Sequence, residues 1–144
     1  MSTIEKTHAG LLRRLGAVLY DSLLVVALVI LVTVVFLIFR GGETVEPGTL
    51  AHQLALVATV YAFFVIFWTR SGSTLGMLAW GLRVETPDGQ LPSIGTASIR
   101  FSAAVLSWLP CGLGFLWQLW DREHLTWHDR LSGTRLVHYP RREG

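Results

Sequence analysis

A single cysteine, Cys111, in 144 residues leaves no internal disulfide and no multi-cysteine metal site, and it reads as an inert packing thiol. Charge is scarce as well. Asp, Glu, Lys and Arg make up 15% of the chain against 51% apolar residues, and the apolar residues come in blocks rather than at the spacing of a soluble core. Several chemical motifs are missing too. There is no phosphate-binding glycine loop followed by lysine, no nucleophile motif and no carboxylate pair inside the apolar blocks, so the sequence gives an enzyme reading little support. The formal net charge of +2 rests on arginines gathered at the two ends and in one loop. That distribution carries topology information and gives no support to a nucleic-acid partner.

What is present is a set of long hydrophobic runs. Blocks of roughly 18 or more apolar residues read as membrane-spanning helices, and the chain is expected to be an all-α membrane protein forming a single domain over residues 1–144. The first span covers about 17–39, or about 34 Å of helix. It is too long for a secretory signal, and Arg40-Gly41-Gly42-Glu43 is not a small-x-small cleavage site. The linker from Arg40 to Gly48 stops it with glycines, a proline and carboxylates. A second span, 50–68, returns with Trp68 and Arg70 at its far interface and makes a helical hairpin.

A third apolar region, 101–120, is broken at 110–114 by Pro110-Cys111-Gly112-Leu113-Gly114. Such a break means either a kinked span or a re-entrant hairpin. Arg122, Arg130, Arg135, Arg141 and Arg142 follow the region, and arginine-rich short segments stay cytoplasmic. A re-entrant or twice-crossing region, with both termini cytoplasmic, is therefore favoured over one kinked crossing.

The loop 71–95 differs in kind. It has glycines, a Pro87-Asp88-Gly89 turn and the alternating Leu82-Arg83-Val84-Glu85. Gly81-Leu82-Arg83-Val84 is echoed in the tail 121–144 by Gly133-Thr134-Arg135-Leu136-Val137. Two short strands pairing at the cytoplasmic surface are expected, a small β element beside the helices.

An ionisable group at the mouth of a span is costly unless paired, which singles out Asp21. Arg14 lies seven residues earlier on nearly the same helical stripe. Asp129, within His128-Asp129-Arg130-Leu131-Ser132-Gly133-Thr134, returns to the same face in the favoured topology. A cluster of Arg14, Asp21 and Asp129 is expected, with His128 and Arg130 as secondary candidates. The plain alternative makes Arg14 an interface anchor and Asp129 a turn or helix cap. His124 and His128, with Asp121 and Asp129 nearby, have a spacing compatible with zinc, but spacing alone is weak evidence and no metal is expected. Gly72 and Gly76 suit either close helix approach or, more simply, a loop or cap. The six tryptophans read as interface belts and require no cofactor.

Arg13-Arg14-Leu15-Gly16-Ala17-Val18-Leu19-Tyr20-Asp21 opening a span, Ser73-Thr74-Leu75-Gly76 leading to Gly81-Leu82-Arg83-Val84, Asp88-Gly89, and His128 to Thr134 together resemble the RDD family of small bacterial membrane proteins. The resemblance runs from about Leu12 to Val137. It implies that the arginine and two aspartates of the family name fall on Arg14, Asp21 and Asp129. The chain departs from the family pattern at Met77-Leu78-Ala79-Trp80, where members often carry basic residues. The resemblance implies a multi-pass protein of the bacterial inner membrane. For function it implies a transport role, cation/proton exchange included, and carboxylates beside a broken helix make Asp21 and Asp129 the groups through which a small oligomeric transporter would exchange a monovalent cation for protons. The competing reading is a non-catalytic accessory or assembly subunit of a larger membrane complex, since small residues such as Gly16, Ala17, Ala103 and Ala104 suit helix packing. Expected partners are thus the lipid bilayer and a second copy or another membrane protein.

Overall fold

Gly10, in extended conformation, starts a helix that the following leucines and arginines continue without a break, so α1 runs Leu11–Phe39. It begins six residues before the apolar block does, because Arg13 and Arg14 are good helix formers and nothing between them and Ala17 interrupts the ladder. In this computed structural model, which describes residues 7–110 and 112–139, α2 (Leu50–Arg70) returns beside α1. Cys111, and the Arg141 and Arg142 used in the topology argument, lie outside the described residues. Both helices are long and apolar enough to cross a membrane.

The expected loop 71–95 contains structure of its own. Thr74 caps a short helix, α3 (Leu75–Ala79), by accepting from the Met77 N–H, and a strand follows at Leu82–Glu85. The Ser93 side chain caps α4 (Ile94–Trp108) by accepting from the Thr96 N–H. The third apolar element therefore starts well before Phe101. At 1.5 Å per residue α4 measures about 22 Å, short of a hydrocarbon core of about 30 Å. After the break, α5 (Leu113–Leu116) and a 3-10 turn at Trp117–Leu119 leave at 106° to α4. The expected tail holds α6 (Trp127–Ser132) and a last strand, Arg135–His138.

Numbered along the chain, the strands are β1 (Thr7–His8), β2 (Leu82–Glu85) and β3 (Arg135–His138), in one antiparallel sheet of order β1-β3-β2. The repeated strand motif pairs as its alternation predicts, with Leu82 opposite His138 and Glu85 opposite Arg135. The addition of β1 was not expected: two residues are too short for periodicity to register. The sheet fixes the topology. β1 precedes α1, β2 follows α2, and β3 follows the third apolar region, so each apolar excursion leaves from and returns to one end of the molecule. A single kinked crossing by 101–120 would separate β2 from β3. The core lies at that end, where Ala9, Ala17, Trp68, Leu82, Val84 and Leu136 are buried together.

Candidate functional site

Asp129 is positioned by its own helix. It forms a capping box with Thr126: the Thr126 hydroxyl accepts from the Asp129 N–H at 3.3 Å and the Asp129 carboxylate accepts from the Thr126 N–H at 3.1 Å. The helix then stops at Gly133, whose φ of 65° suits a residue without a Cβ. That leaves both carboxylate oxygens facing α1 and α4. Arg14, in the first turn of α1, donates to Asp129 Oδ2 at 2.9 Å and through Nε to the Ala9 carbonyl at 3.2 Å. Arg100 of α4 donates to Asp129 Oδ1 at 2.5 Å and to Thr134 Oγ1 at 3.0 Å. Its guanidinium lies 5.3 Å from the Trp68 ring centroid.

This arginine–aspartate–arginine triad is sealed, with Arg14 2%, Arg100 1% and Asp129 0% exposed. Burial alone would raise the Asp129 pKa, but the adjacent Arg100 and Arg14 charges outweigh it and hold the carboxyl below its ordinary range. His128 is buried beside the triad, its Nδ1 3.4 Å from Ser107 Oγ and its ring stacked on Phe115. Burial, reinforced by the positive charge of Arg100, pushes its pKa down to about 3, so the imidazole is neutral at physiological pH.

Asp21 does something else. Its Oδ1 accepts from the Gly76 N–H at 2.9 Å, and its Oδ2 accepts a short hydrogen bond from the Thr74 hydroxyl. The carboxylate thus fastens the start of α3 to α1. The approach is close: a Cβ on Gly76 would collide with the Ala17 carbonyl and lie 2.8 Å from Asp21 Oδ1. Close helix approach is real at Gly76, while Gly72, at φ 74°, serves the turn after α2.

The expected single cluster is therefore two centres. Arg14 and Asp129 meet; Asp21 binds Thr74 and Gly76, two helical turns farther along α1. The physical reason is competition for lone pairs. Asp129 takes both arginines, and the backbone N–H and hydroxyl at Thr74–Gly76 satisfy Asp21 without a cation. Arg130 joins neither centre and pairs instead with Asp121 at the surface. Among the described residues no three His, Cys, Asp or Glu side chains gather as a metal site; His124 packs against His8 at 6.0 Å between ring centroids.

Arg100 was missed by sequence reasoning. The signal was there: an arginine directly before Phe101, at the edge of an apolar block, meets the same cost criterion that picked out Asp21. Thr74 and Thr134 gave no such signal, because a threonine's partner is set by the fold. Arg14, Asp21, Arg100 and His128 all border one cavity of about 710 Å³, whose remaining walls are mostly apolar side chains of α1, α2 and α4.

The RDD family model matches residues 8–133, most of the chain, and the chain belongs to that family. No curated protein and no solved structure matches it.

Proposed function

We propose that this member of the RDD family is a non-catalytic module of the bacterial inner membrane, with both termini cytoplasmic, which assembles with a second copy or with a larger membrane complex. The observation that carries this reading is where the charges are spent. Arg14 and Arg100 both pair with Asp129, and Asp21 holds α3, so Arg14, Asp21 and Asp129 are spent on locking the helices together. The long faces of α1 stay uncovered, with none of its most apolar window buried. Arginine excess after the third region supports the orientation.

Cation–proton exchange is the second reading, favoured by one feature: Asp21 borders the cavity beside the Thr74 hydroxyl to which it is bonded. Asp129 suits that role poorly, since two guanidinium groups already compete with any cation. Liposomes holding the purified full chain and a pH dye separate the two. No cation-driven pH change, together with disulfide-linked dimers or defined adducts in cells carrying Leu23→Cys on the outer face of α1, supports the module. Cation-driven flux that Asp21→Asn abolishes would replace it with the exchanger.

A further inference from the structure

The cavity between α1, α2 and α4 has two chemically different ends. At the sheet end stand Arg14, Trp68 and Arg100; toward the middle of the helices the walls are Val25, Val60, Phe64, Phe101 and Val105. Three buried donors on the polar residues have no acceptor: Arg14 Nη2, Trp68 Nε1 and Arg100 Nε. No buried side-chain acceptor among the described residues stands unpaired to match them. Buried polar groups are nearly always satisfied, and an unpaired one costs free energy. A surplus made only of donors, two of them on guanidinium groups that share the single Asp129 carboxylate, calls for an acceptor-rich anion. It does not suit a cation. Asp21, a carboxylate that also lines the cavity, is already bonded to Thr74 and Gly76.

We propose that this cavity binds an anionic phospholipid, with its phosphodiester oxygens on Arg14 and Arg100 and one acyl chain along Val25, Val60, Phe64 and Phe101. The inference rests on the membrane reading given above. The order of polarity along α1 and α2 supports a lipid over a free anion: Arg14 lies in the first turn of α1 beside the sheet and Trp68 near the end of α2 that returns to it, while Val25 and Val60 line the cavity farther along the same two helices, as a lipid's own polarity requires. A free phosphate would leave the apolar walls unfilled. The unpaired N–H groups are sealed from solvent on residues that line the cavity, so a headgroup reaches them only as the guanidinium ends turn toward it.

The test is native mass spectrometry and thermal melting of the purified full chain in dodecyl maltoside, with dioleoyl phosphatidylglycerol, dioleoyl phosphatidylcholine or inorganic phosphate added. Phosphatidylglycerol adducts about tenfold more abundant than phosphatidylcholine adducts are expected, the size of one charge-assisted hydrogen bond. Phosphate alone should not raise the melting temperature. Arg100 variants will lose stability with the triad, so the decisive variant is Val60→Phe, which narrows the apolar walls from α2, a helix that carries neither arginine. It should fold, by circular dichroism, and lose the phosphatidylglycerol adduct. Equal adducts with both lipids, or full binding by Val60→Phe, would overturn the proposal; equal stabilisation by phosphate would overturn the lipid assignment. Carbonate extraction keeps the two readings apart: a chain washed off membranes defeats the membrane reading, whereas an integral chain without lipid selectivity defeats this inference alone.

Discussion

The sheet end of the molecule and the far end of its α1–α2 hairpin are built on opposite rules. At the sheet end the largest sealed side chains include Arg14, Arg100, Glu85 and Asp129, while at the hairpin end Leu31, Val34, Ile38 and Phe39 point outward. A soluble protein does the reverse. Burying charge is expensive wherever it happens, so the sheet end spends its geometry on pairing: Asp129 accepts from two arginines and its own cap, and Glu85 accepts from Tyr139 and Arg135. The hairpin end pairs almost nothing, and its outward side chains are apolar, as a face against hydrocarbon would require. Specificity in this fold is therefore concentrated in a few polar contacts at one end.

The sharpest way to break that comparison is to remove Asp129. Asp129→Ala leaves two guanidinium groups buried without a counter-charge and removes the reciprocal half of the α6 capping box, its acceptor for the Thr126 N–H, and a loss of about 3 to 5 kcal/mol is expected, enough to prevent accumulation. Leu23→Ala on the outward face of α1, 67% exposed, should leave stability nearly unchanged. Denaturation of both variants in mixed micelles checks the pair. Equal tolerance would mean that the triad is not what holds the helices.

Next in size are the contacts of α3. Gly76→Ala drives a methyl group into the Ala17 carbonyl and Asp21, and overpacking of this kind costs about 1 to 3 kcal/mol. Asp21→Ala frees the Thr74 hydroxyl and the Gly76 N–H at a buried site and should cost a similar amount. Asp88→Ala, in the exposed turn, should change nothing measurable. Thermal melting of the three ranks them; an Asp88 variant as unstable as the Asp21 variant would remove the reason for treating Asp21 as a latch.

The same contrast explains what the sequence made legible. Hydropathy and length located the two long helices, and alternation located β2 and β3, because these signals are local. The cost of a charge beside an apolar block singled out Asp21, with Arg14 added by its place on the same helical stripe and Asp129 by the topology, and all three are buried. Which of them pair was not legible, since partners are assigned by the return of α4 and α6 to α1, a matter of packing rather than period. Arg100 was overlooked because the third block was read from Phe101 onward, with its helix start at Ser93 unnoticed.

Acid should weaken the sheet end selectively. His128 has a folded pKa of about 3 against an ordinary 6.5. A group depressed in the folded state stabilises above its unfolded pKa, so its contribution is intact at pH 7 and lost as pH falls from 6.5 toward 3, at up to about 1.4 kcal/mol per pH unit. Asp129, also held below its ordinary value, adds to the loss only at the acid end, below about pH 4. Melting temperature against pH should fall through this window in the native chain. His128→Gln should flatten it between pH 6.5 and 4; an unchanged slope would show that His128 titrates normally.

The smallest effect is expected where the hairpin end does make a polar contact. Thr33 of α1 lies 3.0 Å from His52 Nε2 of α2, with the Phe36 and His52 rings edge to face beside it. Thr33 also donates to the Val29 carbonyl at 2.8 Å, so its hydroxyl is partly spent within its own helix. Interhelical hydrogen bonds between membrane helices average about 0.6 kcal/mol, because the separated helices find other partners. Thr33→Val should therefore lower stability by less than about 1 kcal/mol, whereas Thr74→Val, which leaves a buried Asp21 oxygen without its donor, should cost more. Denaturation midpoints of the two valine variants in the same micelles give the comparison its finest test. If Thr33→Val proves the costlier, the polar contact at the far end holds the hairpin and specificity is shared between the two ends.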